Sequence, residues 1–237
     1  YTADTLTPSC MTGAERPSSA SVPKTTDWPQ FRGPNAQGVS PDTNLPVTFD
    51  PPNNVVWTTP VPPGVSSPCV WGDAVFLSAF TDSKRLAVLC IAAGDGRIRW
   101  QREVPAERIE NVHPRLGSPA QATPATDGER LYVFFGSVGL VCFDFRGQFL
   151  WRHELDPFSY NLGWGAASSP ILYRDSVILN CDHDGESFVL ALDKHTGRVN
   201  WRTPRPDAPA SFSTPVLWTV AGQTQLVVAG SGRVSAY

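Results

Sequence analysis

Residues able to do covalent or metal chemistry are few in this chain, and their spacing fits none of the common active sites. The five cysteines stand at positions 10, 69, 90, 142 and 181. No two are adjacent, and no two have the Cys-x-x-Cys spacing of a zinc or redox site. The four histidines, His113, His153, His183 and His195, show no pairing at metal-ligand spacing. Neither a Gly-Lys-Ser/Thr phosphate loop nor a Gly-x-Ser-x-Gly nucleophile turn occurs. The stretch Asp182-His183-Asp184-Gly185-Glu186-Ser187 has the outline of a calcium loop. It lacks the third acid and the distal Glu, and reads as a hairpin turn. What remains is recognition chemistry. Two long connections, 110–116 and 158–165, carry aromatic and charged side chains at their tips. The candidate binding residues are therefore His113, Arg115, Tyr160, Asn161 and Trp164, with Trp164, between two glycines, the one expected to project. No catalytic, cofactor-binding or metal-binding residue is predicted.

The elements that hold these connections repeat. Ser66-Ser67-Pro68, Ala122-Thr123-Pro124, Ser168-Ser169-Pro170 and Ser213-Thr214-Pro215 each open a segment. Short apolar runs come next, bounded by Gly, Asp or Pro, and then a glycine turn and a tryptophan: Gly96 and Trp100, Gly147 and Trp151, Gly197 and Trp201. Pro124 to Pro170 is 46 residues and Pro170 to Pro215 is 45; Trp100 to Trp151 is 51 and Trp151 to Trp201 is 50. A period of this length, built from strand-length apolar runs, is that of a β-propeller blade. The fold class expected is all-β, with four-stranded antiparallel blades whose strands run A to D from the channel to the rim. Proline gives no N–H to a ladder, so it suits the start of the innermost strand. Strand C is expected to end at Cys90, Cys142 and Ala191. Strand D presents the tryptophan, which covers the turn of the neighbouring blade and buries apolar faces that a single blade cannot bury. His153 and His195 are expected to be solvated at the rim. The D-to-A connections, which include both candidate loops, cross one face from the rim to the channel mouth.

Ala191-x-Asp193-x-x-Thr196-Gly197-x-x-x-Trp201 resembles the tryptophan-docking motif of the pyrroloquinoline quinone (PQQ) propeller repeats, the PQQ-like or BamB-like family. The copy at Trp151 keeps Asp144 and Gly147 but is one residue short; the copy at Trp100 keeps Gly96 but has Ala92 in place of the Asp. Asp27-Trp28-Pro29-Gln30-Phe31-Arg32-Gly33-Pro34-Asn35, with Gly38 and Ser40, resembles the opening segment of bacterial envelope proteins with this propeller. The resemblance implies a ring of seven or eight blades, of which about four are present. Residues 1–27, rich in Ser, Thr, Pro and Ala with few large apolar side chains, read as a flexible leader, and 28–237 as a partial propeller. Within the propeller, 66–104, 119–155 and 166–204 are blades and 211–237 is a truncated one. Residues 52–60, with Trp57, are expected to be the outer strand of the closing blade, and the natural protein to continue beyond Tyr237.

The family holds quinone-dependent dehydrogenases, with a calcium ion, a catalytic Asp and often a vicinal disulfide, and non-catalytic members such as BamB. The cysteines here do not form that disulfide, and Cys69 and Cys90, on strands A and C, are too far apart to bridge. Free, buried thiols are expected. The function expected is a non-catalytic exported scaffold of the periplasm or cell envelope that binds a protein or peptide and holds no cofactor. The alternative is a PQQ- and Ca²⁺-dependent dehydrogenase whose ligands lie mainly outside this chain. Cys10 lacks the setting of a lipid anchor. The net charge of −3, with 3 Lys beside 16 Arg, offers no basic field for nucleic acid. No apolar run is long enough for a transmembrane helix.

Overall fold

Each Ser/Thr-Pro step hands the chain to a short inner strand, and four antiparallel sheets are built in succession. The computed structural model describes residues 27–43, 45–48, 54–81 and 85–237. The first sheet holds β1 (Cys69–Trp71), β2 (Ala74–Phe80), β3 (Leu86–Ala92) and β4 (Ile98–Val104). The second holds β5 (Ala125–Thr126), β6 (Arg130–Phe135), β7 (Gly139–Asp144) and β8 (Phe149–Glu154). The third holds β9 (Ile171–Tyr173), β10 (Ser176–Cys181), β11 (Phe188–Asp193) and β12 (Val199–Pro204). The fourth has three strands, β13 (Val216–Val220), β14 (Gln223–Gly230) and β15 (Arg233–Ala236). In every sheet the spatial order is the chain order. These are blades of a β-propeller whose ring is not closed. No α-helix occurs among the described residues; the one helical turn is a 3-10 turn at Pro34–Ala36.

The third strand of each complete blade is buried along nearly its whole length. That is the pattern of a sheet covered on both faces. Three apolar clusters fill the gaps between consecutive blades. Phe76 and Leu86 meet Leu131 and Phe143, Tyr132 and Phe134 meet Leu179 and Leu190, and Ile178 meets Leu226 and Val228.

The third strands do not end at Cys90, Cys142 and Ala191 as the sequence suggests. They run two residues further, and a bulge falls just after each of those positions. In each blade this small residue pairs directly with the tryptophan, as in Cys90–Trp100, Cys142–Trp151 and Ala191–Trp201. A bulge increases the local twist of a strand and re-aims its side chains, here beside the residue that faces the indole.

The indoles lie on the glycine turns of the next blade. Trp100 donates its ring N–H to the Phe145 carbonyl at 2.9 Å, and Trp151 to that of Lys194 at 3.1 Å. A Cβ at Gly147 would stand 2.8 Å from the Trp100 ring, and one at Gly197 2.5 Å from the Trp151 ring. Trp57 makes the same contact with Gly96 and bonds the Ala93 carbonyl at 2.8 Å. Residues 54–60 have no sheet pairing among the described residues. The residue two after each indole closes the contact by bonding the glycine's carbonyl: Thr59 to Gly96, Arg102 to Gly147, and His153 through Nδ1 at 3.2 Å to Gly197. His153 is thus partly buried in a contact between blades rather than free in solvent, while the side chain of His195 stays exposed.

Aspartate shapes two of these turns. Asp144 accepts backbone N–H bonds from Arg146 and Gln148, and Asp193 from His195 and Thr196. Burial alone would raise the Asp193 carboxyl, but the donors of Thr196 and His195 outweigh it and hold it below the usual range. Gly147 has φ +76° as well as the indole above it. Gly147→Ala is expected to lower stability by at least about 1–2 kcal/mol from the left-handed backbone alone. A larger loss is expected as Trp100 is displaced, and urea unfolding would measure both together.

A second contact between blades lies nearer the axis. The backbone N–H of Ser67 donates to the Thr123 hydroxyl, that of Thr123 to Ser169, and that of Ser169 to Thr214. The residue before each proline thus links its blade to the next. Cys69, Cys90, Cys142 and Cys181 are free and buried, and burial raises the pKa of each thiol, to about 11 for Cys90. Cys10 and the rest of 1–26 lie outside the described residues. Asp27, placed in the flexible leader by sequence, is 2% exposed and accepts the Gly72 N–H at 2.7 Å.

Candidate functional site

The D-to-A connections gather at one end of the blades, because β4, β8 and β12 all finish there. The connections 105–124 and 155–170 are clipped together. The His113 N–H donates to the Gly163 carbonyl at 2.6 Å, and the Gln121 side-chain amide bonds the Trp164 carbonyl. The approach is close enough to need glycine. At Gly163, φ is +64° and a Cβ would lie 2.9 Å from the His113 nitrogen.

The second connection then docks on the third blade and on the connection 205–215. The Asn161 N–H donates to the Asp184 carboxylate, and the Tyr160 hydroxyl to the Asp182 carbonyl at 3.4 Å. The Tyr160 ring stacks on Phe212 at 5.3 Å, and Trp164 tilts against the same ring at 5.5 Å. Burial, with Glu110 adding to it, pushes the Tyr160 hydroxyl well above its usual pKa. His183 stacks on Phe158 at 4.5 Å, and its burial lowers its pKa.

Four of the five sequence-predicted residues therefore sit in one assembly: His113 at the clip, and Tyr160, Asn161 and Trp164 on the third blade's side. Arg115 is exposed beside them, its N–H on the His113 ring at 3.2 Å. Trp164 is 41% exposed, so it projects with one flank held by Phe212. Leu116 and Leu162, both more than half exposed, share its loops. Two hollows open at this end. One of about 930 Å³ lies between Pro105–Arg108 and Glu154–Pro157. The other, about 650 Å³, lies between His183–Ser187 and Arg205–Pro209.

Three residues of this region escape a reading of the sequence. Phe212 supplies the platform for Tyr160 and Trp164. Asp182 is no simple turn residue: its carboxylate is buried against Arg205, with Nε–Oδ1 at 2.7 Å and side-chain exposures of 0% and 1%. Glu110, 6% exposed, has both carboxylate oxygens buried with no partner in hydrogen-bond geometry. Its oxygens press on Gly136, where a Cβ would come within 2.7 Å.

Burial pushes the Glu110 carboxyl up to about 7 from 4.5, with the backbone amide of Ala166 offsetting part of the rise. The folded state then holds a proton that the unfolded state has released between those two values. Stability is expected to fall as pH rises from about 4.5 to about 7, by about 3 kcal/mol from this group. Glu110→Gln is expected to remove that slope, read as the difference between wild-type and variant urea midpoints at pH 4.5 and pH 8. Parallel curves would refute the assignment.

A family model described as outer membrane protein assembly factor BamB, for PQQ-like repeats, matches residues 39–161 and 87–237. The chain belongs to this family. No curated protein matches the sequence. Among solved structures, a europium-containing methanol dehydrogenase matches with TM-score 0.49 and 17% identity, over 60% of this chain and 25% of that one. BamB from Moraxella catarrhalis matches with TM-score 0.45 and 16% identity, over 73% of this chain and 44% of that one. A quinohemoprotein alcohol dehydrogenase from Comamonas testosteroni matches with TM-score 0.44 and 18% identity, over 60% of this chain and 21% of that one. The chain thus spans less than half the length of each. Among the described residues of this BamB-family chain, no group of three or more His, Cys, Asp or Glu side chains is placed to hold a metal ion. No helix among them is long and apolar enough to cross a membrane.

Proposed function

We propose that this chain is part of a non-catalytic propeller of the cell envelope, one that binds a protein or peptide through the clipped loops. The observation that carries this reading is the surface around Trp164. An exposed indole and two exposed leucines stand on loops fixed to each other and to Phe212. Preformed, partly apolar surfaces with an aromatic anchor suit protein recognition, since little ordering entropy is lost on binding. Tyr160 and Asn161 beside it are bonded to the fold, through Asp182 and Asp184, which holds the surface in place.

Site-specific photo-crosslinking in the producing cell tests the reading. A crosslinking residue in place of Trp164 is expected to give a discrete protein adduct. One in place of His195, at the opposite end of the blade, is expected to give none. Equal labelling from both positions would count against the reading. So would stoichiometric uptake of PQQ and Ca²⁺ by the full-length protein together with dye-linked alcohol oxidation, which is the behaviour of a dehydrogenase.

A further inference from the structure

At the other end of the channel the innermost strands are not left bare. The segment Asp27–Ala36 runs along their inner edges from blade to blade. Trp28 and Val70 exchange two backbone hydrogen bonds, both 2.8 Å, as an antiparallel bridge to β1. Asp27 accepts from the Gly72 N–H at 2.7 Å, and the Pro29 carbonyl from Thr126 N–H of β5 at 2.8 Å and from the Cys69 thiol at 3.2 Å. The Gln30 side-chain oxygen reaches the Leu172 N–H of β9 at 3.4 Å. One short segment thus meets strand-edge groups of three successive blades. Asp27, Gln30 and Ala36 are all under 9% exposed.

These are the contacts of a peptide in a recognition track. An exposed strand edge is a template for any extended chain. Main-chain bonds supply affinity, and the pockets for alternate side chains supply choice. The segment's own backbone also resists the position. Arg32 and Ala36 have φ of 62° and 56°, left-handed values that bring such side chains too close to the following carbonyl oxygen and cost free energy. Beyond it, 37–43 is largely exposed chain. The strap therefore gains from tethering, which raises its effective concentration at the track.

We propose that the inner edges of β1, β5 and β9 form a peptide-binding track. Its resident occupant is Asp27–Ala36, and it accepts in exchange an extended peptide with the same acid–aromatic–proline–carboxamide pattern. This site is separate from the loop surface and does not depend on the function proposed for it.

The test uses the folded chain with a protease site inserted between Asp42 and Thr43, both exposed. After cleavage of the native protein, a fluorescent peptide with the sequence of residues 27–36 is added and its anisotropy recorded. Saturable binding at least tenfold tighter than to uncut protein is expected. The same peptide carrying Trp28→Ala and Gln30→Ala is expected to bind at least tenfold more weakly. The proposal is overturned if the cut segment stays bound and no peptide exchanges within a day. It is equally overturned if the vacated track fails to bind, if the substituted peptide binds as well, or if the uncut protein binds equally. Loss of the near-ultraviolet circular dichroism on cleavage also overturns it, because the segment would then be integral to the fold. None of these results bears on crosslinking from Trp164.

Discussion

Replacing Trp151 by Ala is expected to destabilise the protein by about 3–5 kcal/mol, and Trp100→Ala by a similar amount. Both indoles are 8% exposed, both donate to a carbonyl in the neighbouring blade, and both lie on a glycine that admits no side chain. Removing one opens a void between two blades and strands the carbonyl it had satisfied. Trp201 is the internal control. Its position in the repeat is the same, but it is 37% exposed, and no glycine turn among the described residues lies against it. Trp201→Ala should cost less than half as much as Trp151→Ala in this chain. Chemical unfolding of the three variants would measure the difference. Equal losses at all three positions would show that the indoles stabilise their own blades rather than the joint between blades.

The docking positions are readable in the sequence because each is a local requirement. An indole, a glycine that can take positive φ, and an aspartate that caps the turn recur within eleven residues of one another, so period and residue type suffice to find them. The hydroxyls at Thr123, Ser169 and Thr214 recur just as regularly. They pass unnoticed because the proline next to them already explains a strand start, yet the hydrogen bonds from blade to blade run through them. The strap is a different case. Nothing near Pro29 in sequence indicates that its carbonyl meets Thr126, since that contact exists only once two inner strands stand side by side. Glu110 and Phe212 are equally opaque, because whether a carboxylate is buried or a ring forms a platform depends on how three connections pile up. The surface of the site can be inferred from loop length and composition, whereas its support cannot.

Arg205→Met is expected to lower stability by about 3–5 kcal/mol, and to loosen the loop surface with it. The guanidinium holds Asp182 with two hydrogen bonds, of 2.7 and 3.2 Å, and donates a third of 2.7 Å to the Tyr237 hydroxyl. Neither charge reaches water, so removing one leaves the other buried and uncompensated. If that is the origin of the loss, Asp182→Leu combined with Arg205→Met should recover most of it, because two apolar side chains leave no charge behind. A double-mutant cycle measured by urea unfolding reads the coupling directly. Additive losses would show that packing, not charge, sets the penalty. The pair also anchors the candidate site. Asp182 accepts the Tyr160 hydroxyl through its backbone carbonyl, and Arg205 opens the connection that brings Phe212 under Tyr160 and Trp164. The single variant should therefore raise hydrogen exchange in 158–165 and 205–212. The double variant should restore protection there only if packing alone can hold the platform in place.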